Sequence, residues 1–265
     1  YDDTIRQVSA TGGTASVLVT AYPQGPIAAD SDSVYWIDGY SVVEHNVKKV
    51  ARTGGLPTTL VTNGENVGGI AIDSDSVYWT TYGTSQGTGT VMKVAQSGGA
   101  PVMLASGLPD PKEIAVDDSG VYWMDGTGLV MKIAKTGGAP TMLASGQSST
   151  VIAVDSGAVY WLNSGEDGSV MKIAKSGGTP VSLATGQLGP EELVVTGGAV
   201  YWTNSYYNKV STVMTVPTSG GMPVTLDTLD AADGYIWGGM ATDGSAIYWS
   251  LYDQGSNGYI MKLPL

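Results

Sequence analysis

The feature that most constrains the fold is a short motif, an aliphatic residue followed by Tyr and Trp, which occurs six times. The copies end at Trp36, Trp79, Trp123, Trp161, Trp202 and Trp249. The intervals between them run from 38 to 47 residues, a repeat length typical of the blades of a β-propeller. The sequence therefore predicts an all-β, six-bladed β-propeller that occupies residues 1–265 as a single domain. It says much less about activity, because propellers support many unrelated functions.

Each repeat divides into four strand-like pieces, named A to D. In the fourth copy they are residues 151–155, 158–162, 169–174 and 180–184. Each piece is short, rich in β-branched or aromatic residues, and bounded by turn-forming residues. A Ser/Thr-Gly-Gly turn stands between a C piece and a D piece six times along the chain, and proline begins five of the six D pieces. Because proline cannot donate to a ladder, D is predicted as the outer edge strand and A as the innermost strand.

The two ends of the chain carry incomplete repeats. Residues 4–8 are a C-type piece and residues 15–19 a D-type piece, whereas the last repeat ends with a C-type piece at residues 259–263. We therefore predict that residues 15–19 complete the last blade and close the ring of four-stranded blades, which removes a sheet edge. One C-type piece is then surplus. Either residues 4–8 add a fifth strand to the closing blade or one end is displaced.

Strand A ends in a short polar side chain in every repeat. Five copies have aspartate (Asp30, Asp73, Asp117, Asp155, Asp243), and Thr196 takes its place in the fifth copy. A carboxylate at this point can accept hydrogen bonds from the backbone of the A–B turn. We interpret these aspartates as structural.

Composition excludes several kinds of site. The chain has no cysteine and one histidine, which excludes disulfides, thiolate metal sites, a cysteine nucleophile and a two-histidine metal site within one chain. A net charge of −12 without a basic stripe argues against a nucleic-acid partner. No apolar run is long enough to span a membrane. The sequence begins at Tyr1 without methionine, as it would after cleavage of a secretion signal or after trimming for expression. With the acidic, lysine-poor composition, this predicts an extracellular or periplasmic, secreted protein.

Charges are unevenly distributed along the repeat. Ten of the 12 Lys and Arg residues lie in strand C or the C–D turn, and most of the 24 acidic residues lie in the D–A and B–C loops. In a propeller these loops emerge on one face. The acidic loop face has two explanations: solubility, or a field that recruits a cation or a basic partner.

The Tyr-Trp repeats resemble those of the six-bladed YWTD propellers of the low-density lipoprotein receptor class. Tyr78-Trp-Thr-Thr81 and Tyr201-Trp-Thr-Asn204 come closest to that motif, and Tyr122-Trp-Met-Asp125 keeps its aspartate. The C piece and Gly-Gly turn of residues 130–138 resemble repeat propellers of secreted bacterial proteins, notably from myxobacteria. The receptor-class resemblance implies a protein ligand on a loop face, although its cysteine-rich modules are absent here.

Residues that depart from the repeat are candidates for function. Trp237 is the one tryptophan outside the motif, and it stands among glycines in the longest D–A connection. It could stack on a sugar or peptide, or it could plug the channel or pack locally. Tyrosines occur in the B–C loops of the same face at Tyr40, Tyr82, Tyr206, Tyr207 and Tyr252. Flat amphipathic rings of this kind suit carbohydrate or protein recognition.

The first positions of strand A carry charge in two repeats only, at Lys112-Glu113 and Glu191-Glu192. These groups could hold a metal ion, act as an acid/base carboxylate pair, or form a solvated ion pair at the rim. His45, which follows Glu44 in the first B–C loop, is a further candidate contact. No cofactor is required by any motif, although acidic turns at residues 165–168 and 230–234 could bind calcium.

Three functions fit these observations. The leading hypothesis is a non-catalytic extracellular propeller that binds a carbohydrate or a protein on its D–A and B–C loop face, because no nucleophile or metal motif accompanies the aromatic and acidic loops. The second is a glycoside hydrolase or lyase that uses Glu113 and Glu192 at the channel mouth. The third is a structural subunit of a surface assembly, joined through a free edge strand.

Overall fold

The computed structural model describes residues 3–39, 45–63, 66–83, 87–148, 151–205, 210–230, 235–253 and 258–265. Within these residues the chain forms 25 β-strands joined by turns, with no helix. The chain has two compact units: residues 1–127 with 131–141, and residues 128–130 with 142–265. None of the described residues forms a helix long and apolar enough to cross a membrane.

The strands of the first half are β1 (Thr4–Gln7), β2 (Ser16–Thr20), β3 (Pro23–Ala29), β4 (Ser33–Asp38), β5 (His45–Ala51), β6 (Thr58–Asn63), β7 (Val67–Ile72), β8 (Ser76–Thr81), β9 (Gly89–Ala95), β10 (Val102–Leu108), β11 (Pro111–Asp117), β12 (Gly120–Asp125), β13 (Val130–Ile133) and β14 (Thr141–Ala144). The strands of the second half are β15 (Ile152–Val154), β16 (Ala158–Asn163), β17 (Gly168–Ala174), β18 (Val181–Gln187), β19 (Pro190–Thr196), β20 (Ala199–Asn204), β21 (Ser211–Pro217), β22 (Val224–Leu229), β23 (Tyr235–Thr242), β24 (Ala246–Tyr252) and β25 (Gly258–Pro264).

Six successive sheets correspond to the six repeats. Blades 1 to 5 each contain four strands in sequential order (β3–β6, β7–β10, β11–β14, β15–β18 and β19–β22), and the described strands of blade 6 are β23–β25. The recorded strand pairs are antiparallel, as in a meander of hairpins. The predicted fold class, an all-β six-bladed β-propeller, is confirmed.

Strand A lies inside and strand D outside within each compact unit. In the first unit, β7 packs against both β3 and β11; in the second unit, β19 packs against β15 and β23. These six strands are all A-type, whereas the D-type strands form the opposite edges of their sheets. In five blades proline immediately precedes strand D, where its missing N–H removes no ladder hydrogen bond. The predicted order of strands is therefore confirmed.

The repeated tryptophans form the core between blades. The six indoles of the motif are at most 4 % exposed. Trp202 of blade 5, for example, packs in one cluster with Tyr160, Leu162 and Leu183 of blade 4. The interpretation of this tryptophan column as packing is confirmed, and within each compact unit the indole ring packs against residues of the preceding blade.

The aspartates at the end of strand A join the A–B turn to the tyrosine of the motif. Asp155 Oδ1 accepts hydrogen bonds from the backbone N–H groups of Gly157 (2.8 Å) and Ala158 (2.7 Å), and Oδ2 accepts one from the hydroxyl of Tyr160 (2.7 Å). Burial would raise the pKa of Asp155, but these hydrogen bonds outweigh burial and lower it. The same arrangement occurs at Asp30, Asp73 and Asp243. The structural role predicted for these residues is confirmed.

Lysines of strand C reach the C–D turn of the next blade. Lys172 Nζ donates to the carbonyl oxygen of Thr218 at 2.8 Å, and Lys93 Nζ donates to that of Lys135 at 2.6 Å. In the turn that contains Lys135, paired glycines follow with positive φ, 86° at Gly137 and 123° at Gly138, a conformation that glycine adopts without steric cost. The clustering of basic residues in strand C thus has a structural cause.

The N-terminal hairpin packs on blade 1. Strand β1 pairs with β2, and Ile5, Leu18 and Val19 are buried in one cluster with Trp36 and neighbouring residues of blade 1. The C-type piece at the N-terminus is therefore bonded to the D-type piece that follows it. That residues 15–19 also complete the last blade stays a prediction, as does the single domain.

We expect Leu18→Ala to lower the free energy of unfolding by about 2–4 kcal/mol, because it leaves a cavity beside Trp36. Val17→Ala is the matched control, since Val17 is 52 % exposed on the same strand and should change stability by less than about 0.5 kcal/mol. Urea unfolding followed by tryptophan fluorescence measures both. Equal effects of the two variants would contradict the packing of the hairpin on blade 1.

We expect Asp155→Ala to destabilise the protein by about 2 kcal/mol at pH 7, because two backbone donors and one hydroxyl lose a charged acceptor. The folded pKa of Asp155 is lowered, so its contribution is present above the unfolded pKa of about 4 and is lost as pH falls through the folded value. The difference in the free energy of unfolding between Asp155→Ala and wild type should therefore become smaller at acidic pH. Asp167→Ala, an exposed acid of the same unit, is the control. A difference that stays constant to pH 2 would contradict this account.

Candidate functional site

The innermost strands begin with a β-bulge. In β19, Glu191 and Glu192 both lie opposite Thr203, between the regular pairs on either side. The pairs Lys112-Glu113 in β11 and Gly68-Gly69 in β7 make the same two-for-one insertion. A bulge redirects side chains and is frequent beside functional sites. The charged positions predicted at the start of strand A are therefore the bulged positions.

Glu192 is the carboxyl group whose environment departs most from that of the structural aspartates. Its side chain is half-buried. Burial raises its pKa to about 7, and the neighbouring charge of Glu191 acts in the same direction, whereas a hydrogen bond from the backbone of Met240 in β23 opposes both. The pKa of Asp155, one of the structural aspartates at the end of strand A, is lowered instead. A carboxyl group that changes charge near neutral pH, on the inner strand of a scaffold, is a candidate functional group.

Glu191 adds a second carboxyl group at the same bulge. The residue as a whole is exposed, but nearby protein atoms partly desolvate its carboxyl group, and this raises its pKa. Two adjacent carboxyl groups disfavour simultaneous ionisation, so the pair favours either one bound proton or a bound cation. The pair can therefore present both a hydrogen-bond donor and an acceptor to a ligand.

Sequence reasoning missed Thr203, which supports this bulge. Its hydroxyl accepts a hydrogen bond from the backbone N–H of Glu192 at 3.3 Å. In blade 2 the equivalent Thr80 accepts from the N–H of Gly69 at 2.9 Å and donates to the carbonyl oxygen of Lys112 at 2.6 Å. The available signal was a threonine directly after the motif tryptophan in both repeats.

Two of the predicted residues meet at the bulge of blade 3. Lys112 Nζ lies 4.9 Å from the centre of the Tyr82 ring and 2.8 Å from a carboxylate oxygen of Asp110. Asp110 has φ of 52°, an uncommon conformation for a residue other than glycine. Glu113 is half-buried in the same strand. The charge of Lys112 is thus engaged by Asp110, which is not one of the charges predicted at the start of strand A.

Of the remaining predicted site residues, His45 and Tyr252 lie in strands. His45 is the first residue of β5 rather than part of a loop, and it is 7 % exposed, with no hydrogen-bond partner for Nδ1 among the described residues. The predicted loop position of His45 is therefore wrong, because strand pairing with β6 extends to it. Tyr252 ends β24 and is 40 % exposed. Tyr40, Tyr206 and Tyr207 lie outside the described residues.

Trp237 belongs to the inner strand of blade 6. Its backbone falls in a three-residue bulge, since residues 237–239 lie opposite Ser250 alone. Its side chain lies outside the described part of the chain, so its role as a ligand contact stays a prediction.

Within one compact unit, the described residues form neither the predicted metal site nor the predicted pair of catalytic carboxyl groups. Among those residues, no three His, Asp or Glu side chains converge as a metal site would require. Glu113 belongs to the first compact unit and Glu192 to the second, so the carboxylate pair proposed for hydrolysis stays a prediction. Calcium binding at the acidic turns also stays a prediction.

Known structures share the fold. The chain is similar to a prolyl endopeptidase, described in a study of two such enzymes, with a TM-score of 0.69 and 13% identity; the match covers 98% of this chain and 44% of that one. It is also similar to the tricorn protease, with a TM-score of 0.60 and 12% identity over 89% of this chain and 25% of that one.

These similarities establish the fold alone, because the identities are low and this chain spans less than half the length of either protein. No protein-family model matches the chain, and no curated protein sequence matches it. The two structures are not of the low-density lipoprotein receptor class, so that finer resemblance stays a prediction.

We expect the carboxyl group of Glu192 to titrate near pH 7 in the folded protein, as followed by carbon-detected NMR of the side chain. Glu191→Gln should lower this pKa, because it removes a neighbouring negative charge. Asp167→Asn, which removes an exposed charge of the same unit, should leave it unchanged. Since the folded pKa is raised, the stability contributed by Glu192 should fall as pH rises from about 4.5 to 7. A Glu192 midpoint below pH 5 would contradict the assigned environment.

Proposed function

We propose that the protein is a non-catalytic binding propeller whose ligand, a carbohydrate or a protein, contacts the D–A and B–C loop face at the bulges of the inner strands. The observation that carries the proposal is Glu192, a half-buried carboxyl group with pKa raised to about 7. It stands beside Glu191 on a strand whose structural role does not require either charge.

The charge distribution supports this assignment. Lys49, Lys93 and Lys172 of strand C donate to backbone carbonyls of the neighbouring turns, and Lys48 pairs with Asp38. In contrast, Glu191 and Glu192 have no cation within 4 Å among the described residues. A ligand that brings hydroxyl groups or a basic side chain would satisfy these carboxyl groups. Sugars and basic protein loops both meet this requirement.

The partly exposed tyrosines support a binding face of this kind. Tyr82 is half-buried beside Lys112, and Tyr252 is 40 % exposed at the end of an inner hairpin. Such rings contribute contact area at low entropic cost. Trp237 is included in the proposal as a further contact. An extracellular or periplasmic location is also part of the proposal and rests on composition.

The proposal predicts that Glu191→Gln combined with Glu192→Gln weakens ligand binding by about tenfold or more, the loss expected when charged hydrogen bonds are removed. The purified protein is screened on glycan and protein arrays at pH 6 and pH 8, and each hit is repeated with the double variant. Binding should change between the two pH values, because Glu192 changes charge between them.

Asp118→Asn is the control, because it removes an exposed carboxylate from an A–B turn rather than from the D–A and B–C loops. Hits that resist the double variant, or that respond equally to the control, would overturn the assignment of the ligand to this bulge.

The carboxyl group of Glu192 also favours a second, catalytic function. A carboxyl group with pKa near 7 suits a general acid, as in a glycoside hydrolase or lyase. Assay of a panel of glycosides with wild type and Glu192→Gln separates the two functions. Turnover by wild type that the variant loses would establish catalysis, whereas binding without turnover supports the proposed binding function.

A further inference from the structure

A cavity of about 180 Å³ lies between blades 5 and 6, within the second compact unit. Its walls are mainly apolar, and two polar residues of β22 complete them. The residues that carry the argument are Asp227, Thr228, Leu229, Ile236, Trp249 and Leu251. The cavity is smaller than the roughly 300–1,000 Å³ of sites for drug-sized molecules, so it suits a group of the size of one amino-acid side chain.

The preceding interface, between blades 4 and 5, has a polar cluster at the equivalent place. The indole N–H of Trp202 donates to Gln187 Oε1 at 3.1 Å and to Asn204 Oδ1 at 3.2 Å. Asn204 Nδ2 in turn donates to Gln187 Oε1 at 3.1 Å. Trp161, Gln147 and Asn163 form a similar cluster one interface earlier. Each of these two clusters joins a glutamine near the end of strand D to the indole of the next blade.

Between blades 5 and 6, leucine replaces both partners of the indole. Leu229 pairs with the first residue of β21, as Gln187 pairs with the first residue of β17. Leu251 stands two residues after Trp249, as Asn204 stands two residues after Trp202. No hydrogen bond to the indole of Trp249 is formed by the described residues at this interface. The substitution of two hydrogen-bonding side chains by leucine converts a polar contact into an apolar wall.

Strand D of blade 5 departs from the repeat at a second position. Asp227 lies opposite Val213, the point at which other D strands place a small apolar residue. The residues at that point, each at most 8 % exposed, are Val19, Val61, Ala105 and Ala184. Asp227 is instead exposed, and one of its carboxylate oxygens accepts a hydrogen bond from the N–H of Thr228 at 2.9 Å. A negative charge therefore stands at the edge of the apolar cavity.

An apolar wall and a carboxylate at its edge select complementary features in a ligand. Burial of an apolar group against Trp249, Leu229 and Leu251 is favourable in proportion to the area removed from water. A cation at the edge would form a charge-assisted hydrogen bond with Asp227. A neutral ligand would use the first feature only.

We propose that this cavity binds a small primary ammonium compound with a short apolar body. The apolar body packs against Trp249, Leu229 and Leu251, and the ammonium group donates to Asp227. This site goes beyond the proposed function, because it uses neither Glu191 nor Glu192 and takes a ligand of different chemistry.

The test follows the indole N–H resonances of the intact protein by NMR while isoamylamine is added, with isoamyl alcohol as the neutral compound of the same skeleton. The resonance of Trp249, assigned with Trp249→Phe, should shift saturably, and that of Trp202 should not. Isoamyl alcohol should bind about tenfold more weakly than the amine, since it lacks the charge.

Asp227→Ala restores the residue type of the other D strands and should remove the preference for the amine, with folding checked by thermal unfolding. Asp230→Ala, three residues along the same connection, is the matched control and should keep the preference. Leu229→Gln combined with Leu251→Asn restores the polar cluster and should abolish binding of both compounds. Glu192→Gln should leave amine binding unchanged, so this result is separate from the proposed function.

Absence of a saturable shift in wild type would overturn the proposal. So would equal affinity for the amine and the alcohol, or an equal loss in Asp227→Ala and Asp230→Ala.

Discussion

The structure depends on the burial of one indole ring at each boundary between successive blades within a compact unit. A single four-stranded sheet cannot cover the tryptophan of its own strand B, because that ring packs against the strands of the preceding blade. Repeats of this kind gain stability only by stacking. The A strands are then brought side by side, and their bulges present side chains that neither the ladder nor the core uses. The candidate site is thus a consequence of how the core is covered.

Two groups of carboxyl groups can be separated by the sign of their pKa shift. Asp155 and its equivalents accept several hydrogen bonds from fixed donors, so their pKa values fall despite burial. Glu192 is buried with one opposing backbone hydrogen bond and another acid beside it, so its pKa rises. The first arrangement stabilises the charged form and serves the fold. The second arrangement disfavours the charged form of the carboxyl group, which is expected where a group is retained for binding or chemistry.

The fold could be predicted from the sequence because its determinants are local and repeated. The Tyr-Trp motif, the Gly-Gly turn and the terminal aspartate of strand A each report on a few neighbouring residues, and all were interpreted correctly. The candidate site was located only in part. Glu191 and Glu192 stood out as charges, but the pKa of Glu192 is set by burial, which raises it, and by the opposing hydrogen bond from Met240 of the next blade, and both depend on the folded packing. The predicted loop position of His45 was wrong because the start of β5 is decided by strand pairing and not by residue type.

The bonds of the strand C lysines to turn carbonyls have a consequence for the conditions in which the blades stay joined. Lys49, Lys93 and Lys172 each pair a full charge with a backbone dipole rather than with a carboxylate. Dissolved ions screen the attraction between two separated charges more than a short, directional hydrogen bond of this kind. The contribution of these three contacts to the cohesion of successive blades should therefore depend little on ionic strength, even though the chain carries a net charge of −12. Acylation of lysine amino groups removes the charge and two of the three N–H donors. It would therefore weaken these hydrogen bonds between blades, which added salt does not disrupt.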